Sequence, residues 1–118
     1  NSDVKAVAKE LGLPIINWNV DTQDWKNRNA QSVHDAIVNA ADGSVVLMHD
    51  LYPTSVEGVL SAIDDLQSRT DKTYAFVTVS ELAAVKGITL EPGVVYNGLT
   101  DKVAQEIADG TYSPTEFT

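Results

Sequence analysis

Three short apolar segments, residues 14–20, 44–49 and 74–79, alternate with stretches of helical periodicity, and this alternation most limits what the chain can fold into. Val4, Val7, Ala8 and Leu11 fall at i, i+3, i+4 and i+7, in a helix that Asn1 or Ser2 can cap and Gly12 stops. Residues 30–41 form a second helix on Val33, Ile37 and Ala40, ended by Asp42-Gly43. Residues 54–68 form a third on Val56, Val59, Leu60 and Ile63, and Ser80 opens a short fourth with Glu81, Leu82 and Val85. The order α-β-α-β-α-β-α implies a parallel sheet with right-handed crossovers. Three parallel strands do not close a barrel, so their outer edges are expected to lie open. The alternation ends near Val85. Residues 86–118, with Pro92-Gly93, Tyr96, Gly98 and a helix near residues 101–108, read as an extension or covering segment.

Charge narrows the partners. Eight Lys and Arg against seventeen Asp and Glu leave a formal charge of −9 on 118 residues, which repels phosphate backbones and anionic headgroups. Nucleic acid and membrane surfaces are therefore not expected as partners, whereas a neutral sugar polymer is compatible. The absence of Cys excludes disulfides, thiolate metal sites and Cys nucleophiles. No apolar run approaches the ~20 residues of a membrane span. Asn1 with no Met and no signal-peptide pattern suggests a piece of something longer.

Parallel topology brings the loops after neighbouring strands to one edge of the sheet, where α/β sites are built. The loop after the first strand holds Asp21, Asp24, Trp25 and Arg28; the second strand ends in Leu47-Met48-His49-Asp50. Pleating sets Val45, Leu47 and His49 on one face. A His beside an Asp-rich loop suits a general acid oriented by a carboxylate. The same residues also suit a structural hydrogen bond and a turn with a helix cap. Arg28 fits either an ion pair within its loop or a solvated side chain, and His34, flanking its helix's apolar stripe, is expected to be partly exposed with no chemical role.

The segment Val20-Asp21-Thr22-Gln23-Asp24-Trp25 resembles the fourth motif of the NodB-homology polysaccharide deacetylases, written Asp-x-x-Asp-Trp, and Leu47-Met48-His49 resembles the fifth, Leu-x-His. Tyr-Ala-Phe-Val-Thr-Val-Ser-Glu-Leu over residues 74–82 is similar to the segment that closes that domain. The resemblance spans about residues 1–85, with the remainder outside it. It implies the later part of a distorted (β/α) barrel, incomplete in this chain. It further implies metal-dependent hydrolytic deacetylation of N-acetylglucosamine polymers, peptidoglycan first and chitin-type oligomers next. By motif, His49 matches the acid that protonates the leaving group, Asp24 its partner, and Trp25 and Leu47 the walls of the acetyl pocket.

The motifs that would supply the catalytic base and the metal ligands are missing, and the chain holds only two His, His34 and His49. A divalent metal, zinc first, is therefore expected to be held by an N-terminal half of the domain, with none bound by this chain alone. Two alternatives stay open: a non-catalytic fragment that is inactive without that half, and O-deacetylation of xylan, since ester and amide share the site design. An extracellular or wall-associated location follows only from the resemblance.

Overall fold

The computed structural model describes residues 1–116. In chain order its elements are α1 Ser2–Glu10, β1 Ile15–Asn17, β2 Val20–Asp21, α2 Asp24–Asn27, α3 Ala30–Val38, β3 Val46–Leu47, α4 Pro53–Ser68, α5 Val79–Lys86, β4 Val95–Asn97 and α6 Asp101–Asp109. Side-chain oxygens define most helix starts by accepting an otherwise free N–H: Asn1 from Val4, Asn29 from Ser32, Thr78 from Glu81 and Thr100 from Val103. The elements fall into two compact units, one of residues 1–19, 42–45 and 77 onward, the other of residues 20–41 and 46–76.

In the first unit β1 pairs in parallel with β4, Ile16 opposite Tyr96. Ala83, Ile88, Tyr96 and Leu99 form its core, with Ile16, Leu82 and Ile107 packed against them. Tyr112 ties the strand ends together, its hydroxyl accepting from the Asn97 N–H and donating to the Val95 carbonyl. Lys86 bridges Asp42 and Asp101 at 2.6 and 2.7 Å. Residues beyond 86, read from sequence as an extension or covering segment, supply a strand, a helix and much of this core. The apolar stripe of α1 is uncovered: Val4, Val7 and Leu11 are all more than half exposed.

In the second unit β2 pairs in parallel with β3, Val20 opposite Val46 and Asp21 opposite Leu47. α3 packs along α4, though not by the stripe that periodicity suggests. Val56 and Leu60 face outward, and the buried positions of α4 are Ser55, Gly58, Ala62 and Leu66. This small-residue face lets the helices approach closely. A Cβ on Gly58 would lie 2.6 Å from Val33 Cβ and 2.7 Å from the Ala30 carbonyl oxygen. His34 joins the pair from the side: it bonds Asp35 through Nδ1 at 2.8 Å and Asp65 of α4 through Nε2. Those hydrogen bonds raise its pKa above the ordinary value.

Parallel pairing and helical crossovers agree with the sequence reading, but the single three-stranded sheet does not: the strands form two separate two-stranded pairs, and their extents differ. The strand expected over residues 14–20 is interrupted at Trp18-Asn19, because the Asn19 side chain takes the Val45 N–H that a continuous ladder would use. The strand expected over 44–49 is reduced to β3. Residues 74–79 form no strand: Thr78 caps α5 by accepting the Glu81 N–H and donating its hydroxyl to the Glu81 carboxylate, and Phe76 and Val77 are exposed. The pairing role lies instead with β4, the short Val95-Tyr96-Asn97 run between Gly93 and Gly98.

The close α3–α4 contact yields a stability test. Gly58→Ala gains up to ~1 kcal/mol of helix propensity but forces the helices apart, and overpacking of this kind costs about 1–3 kcal/mol. The net expectation is destabilisation of roughly 1–2 kcal/mol by denaturant unfolding, and a stabilised Gly58→Ala variant would contradict the packing.

Candidate active site

Among the described residues the buried polar side chains are Thr22, Asp24 and Ser55, and all three belong to one constellation in the second unit. Burying a polar group without a partner costs free energy, so their concentration in one place points to a built arrangement. The parallel β2–β3 pair positions it, since Asp24 follows β2 and His49 follows β3, both at carboxyl ends.

The turn after β2 is made step by step. The Asp21 carboxylate accepts the Gln23 N–H at 2.9 Å. Thr22 is pinned to β3, its N–H and hydroxyl both donating to the Leu47 carbonyl at 3.2 and 2.9 Å. Gln23 then takes a left-handed conformation, φ 52°, and so does Arg28, φ 43°, at the other end of the four-residue α2. Two non-glycine residues with positive φ around one turn of helix is strain of the kind found where side chains must be aimed. What it aims is Asp24, the first residue of α2.

Asp24 is 0% exposed and accepts three hydrogen bonds. Its Oδ1 lies 2.9 Å from His49 Nδ1; its Oδ2 accepts the His49 backbone N–H at 2.7 Å and the Ser55 hydroxyl at 2.7 Å. Burial by itself raises a carboxyl pKa; here the bonds from the His49 ring, the His49 N–H and Ser55 outweigh it and hold Asp24 well below the usual carboxylate range. An ionised Asp24 is acceptor only, so Nδ1 must carry the ring proton toward it, leaving Nε2 as the nitrogen that can exchange a proton. The His49 side chain is 40% exposed, within reach of solvent.

His49 borders a cleft of about 460 Å³ whose other walls are Met48, Asp50, Leu51, Ser55, Val56 and Val59. The cleft explains why α4 turns Val56 outward. Neither Trp25, 53% exposed on α2, nor Leu47, in β3, lines it. Arg28 forms no ion pair within its loop: its guanidinium stacks 4.4 Å over the Tyr52 ring and reaches the Tyr52 hydroxyl at 3.3 Å. The structure thus unites Asp24 with His49 and leaves Trp25 and Leu47 apart from the cleft. Ser55 and Thr22 escaped the sequence reading, although a Ser at the third position of a helix opened by Pro53 is a visible signal. Among the described residues no group of three or more His, Cys, Asp or Glu is placed to hold a metal ion, so these residues do not fit a metal site.

No family model matches the sequence. The chain is similar to the peptidoglycan-N-acetylglucosamine deacetylase PgdA of Listeria monocytogenes serotype 1/2a (strain 10403S), 44% identical over 98 residues, which covers 82% of this chain and 20% of that protein. It is 38% identical over 78 residues to the peptidoglycan-N-acetylmuramic acid deacetylase PdaC of Bacillus subtilis (strain 168), covering 65% of this chain and 16% of the relative. A solved structure of T48 deacetylase with substrate superposes with a TM-score of 0.61 at 37% identity, over 78% of this chain and 45% of that one. The chain therefore spans about a fifth or less of the length of these two curated relatives. The PgdA match is longer than the 85 residues to which the motifs pointed, so the resemblance extends into the segment beyond residue 86.

The Asp24 network predicts how stability responds to acid. A carboxyl with a depressed folded-state pKa contributes stability that is fully present above its unfolded value of about 4 and lost as pH falls through the folded value. Asp24→Asn is expected to cost about 2–3 kcal/mol at neutral pH. Its deficit against the parent should shrink steadily below about pH 4. A deficit independent of pH in denaturant unfolding would contradict the ionised, hydrogen-bonded state.

Proposed function

We propose that this chain, a homologue of part of the peptidoglycan deacetylases, supplies the general acid for hydrolysis of acetyl groups from N-acetylated polysaccharide. The preferred substrate is peptidoglycan N-acetylglucosamine, with chitin-type oligomers next. One observation carries the reading: a buried, ionised Asp24 holds the His49 imidazole by Nδ1 at the carboxyl ends of two parallel strands. Water gives one proton to a base outside this chain as its oxygen adds to the acetyl carbonyl carbon, and the C–N bond breaks. The departing sugar nitrogen takes its proton from His49 Nε2, giving the free amine and acetate. An amine is a poor leaving group without that proton. Asp24 keeps the ring oriented and compensates the positive charge it carries before the transfer. Trp25 and Leu47 are proposed to contact the acetyl group.

The base and any divalent metal, zinc first, are assigned to parts of the protein outside this chain, since the described residues do not fit a metal site. The proposed partner is an N-terminal half of the same domain, completing a distorted (β/α) barrel. Two exposed apolar features support this: the α1 face of Val4, Val7 and Leu11, and the unpaired Phe76-Val77 segment. On this reading the isolated chain is inactive, and the assembled enzyme acts outside the cell or at the wall, where its substrate lies.

His49→Ala in the full-length deacetylase containing this segment is expected to lower turnover of an N-acetylated chito-oligosaccharide by ~10²–10⁴-fold with metal content and fold unchanged. Loss of metal in that variant would reassign His49 as a ligand. Faster turnover on N-acetylmuramic acid or on O-acetyl xylan than on N-acetylglucosamine would keep the acid and change the substrate.

A further inference from the structure

We propose that Ser55 is a positioning residue for the general acid, its hydroxyl fixing the Asp24 carboxylate that in turn fixes His49. This rests on the assignment of His49 as proton donor and adds a residue that the motifs do not contain. Ser55 is 1% exposed and donates to Asp24 Oδ2 at 2.7 Å, the same oxygen that accepts the His49 N–H. With Oδ2 held from two directions, Oδ1 is set in the plane that meets Nδ1. Loss of the hydroxyl leaves one restraint on Oδ2, and the carboxylate and the ring bonded to it can then turn together.

Two further features favour Ser55 for this task. It is the third residue of the sixteen-residue α4, where the partial positive charge of the helix is concentrated, and the Tyr52 side chain does not cap that end. The anionic oxygen of Asp24 thus meets both a hydroxyl donor and a favourable field. The position of α4 is also fixed, because Gly58, three residues on, sits against Val33 and the Ala30 carbonyl with no room to slide. Although Ser55 borders the cleft, at 1% exposure its hydroxyl is out of a substrate's reach, so its influence passes through Asp24.

The test is steady-state kinetics of the full-length deacetylase on an N-acetylated chito-oligosaccharide, with His49→Ala measured alongside. Ser55→Ala is expected to lower kcat about 10-fold, the scale of one lost hydrogen bond to a charged group, while KM stays within about 2-fold. Ser55→Thr, which keeps the hydroxyl, should restore kcat to within about 3-fold of the parent. Adding Ser55→Ala to Asp24→Ala should slow the enzyme no further, since Ser55 acts only through Asp24. If Ser55→Ala does not fold, Ser55→Cys, close in volume and a weak donor, takes its place with the same expected kcat loss. Parent-like kcat in the Ala or Cys variant beside an inactive His49→Ala overturns the role of Ser55 and leaves the acid in place. A rise in KM matching the fall in kcat, or no rescue by Thr, also overturns it. Full turnover in His49→Ala defeats the reading on which the inference rests.

Discussion

A single buried carboxylate organises the second unit. Asp24 has no contact with water, and an ionised group in that position is tolerable only if hydrogen bonds replace its solvation. The three donors come from different places: a ring and a backbone N–H from His49, two residues past β3, and a hydroxyl from the first turn of α4. The turn after β2, the end of β3 and the start of α4 therefore cannot move independently. The left-handed conformations at Gln23 and Arg28 are understandable in this light, since they turn Asp24 inward from a helix only four residues long.

The packing of α3 on α4 serves the same end. By hydrophobicity alone α4 would bury Val56 and Leu60; it buries Ser55, Gly58, Ala62 and Leu66 instead. The small residues allow a close approach that fixes the helix, and the displaced Val56 becomes a cleft wall beside His49 together with Val59. The α4 face chosen for burial is thus the one that carries the donor to Asp24. In the first unit the corresponding structural role falls to Tyr96, Leu99 and Ile88, which lie beyond the last motif and surround the β1–β4 pair.

How much of this was legible in the sequence depends on the kind of signal. Helix positions and parallel pairing followed from period and order, and the meeting of Asp24 with His49 followed from parallel topology, which puts both at carboxyl strand ends. Helix faces were less legible, because periodicity identifies an apolar stripe without saying whether a neighbour covers it; α1 and α4 both expose theirs. Residues 74–79 have strand propensity, but a strand exists only through a ladder partner, and the Thr78 cap on the Glu81 N–H carries that segment into α5. β4 is not legible from pattern because a strand of three residues carries little periodicity. Pattern marks Ser55 as a first-turn residue of a Pro-opened helix but not its partner, which lies 31 positions away.

The central claim is that an ionised Asp24 holds the His49 ring by Nδ1 and leaves Nε2 for proton transfer. Its most direct test is ¹⁵N NMR of the His49 imidazole in the folded protein, read through couplings to the ring carbon protons. In the neutral ring the account predicts a proton on Nδ1 and a bare Nε2, with that preference weakened in Asp24→Asn. A neutral His49 protonated on Nε2 and bare on Nδ1 would contradict it, because the Asp24 carboxylate would then face a nitrogen with no proton to give.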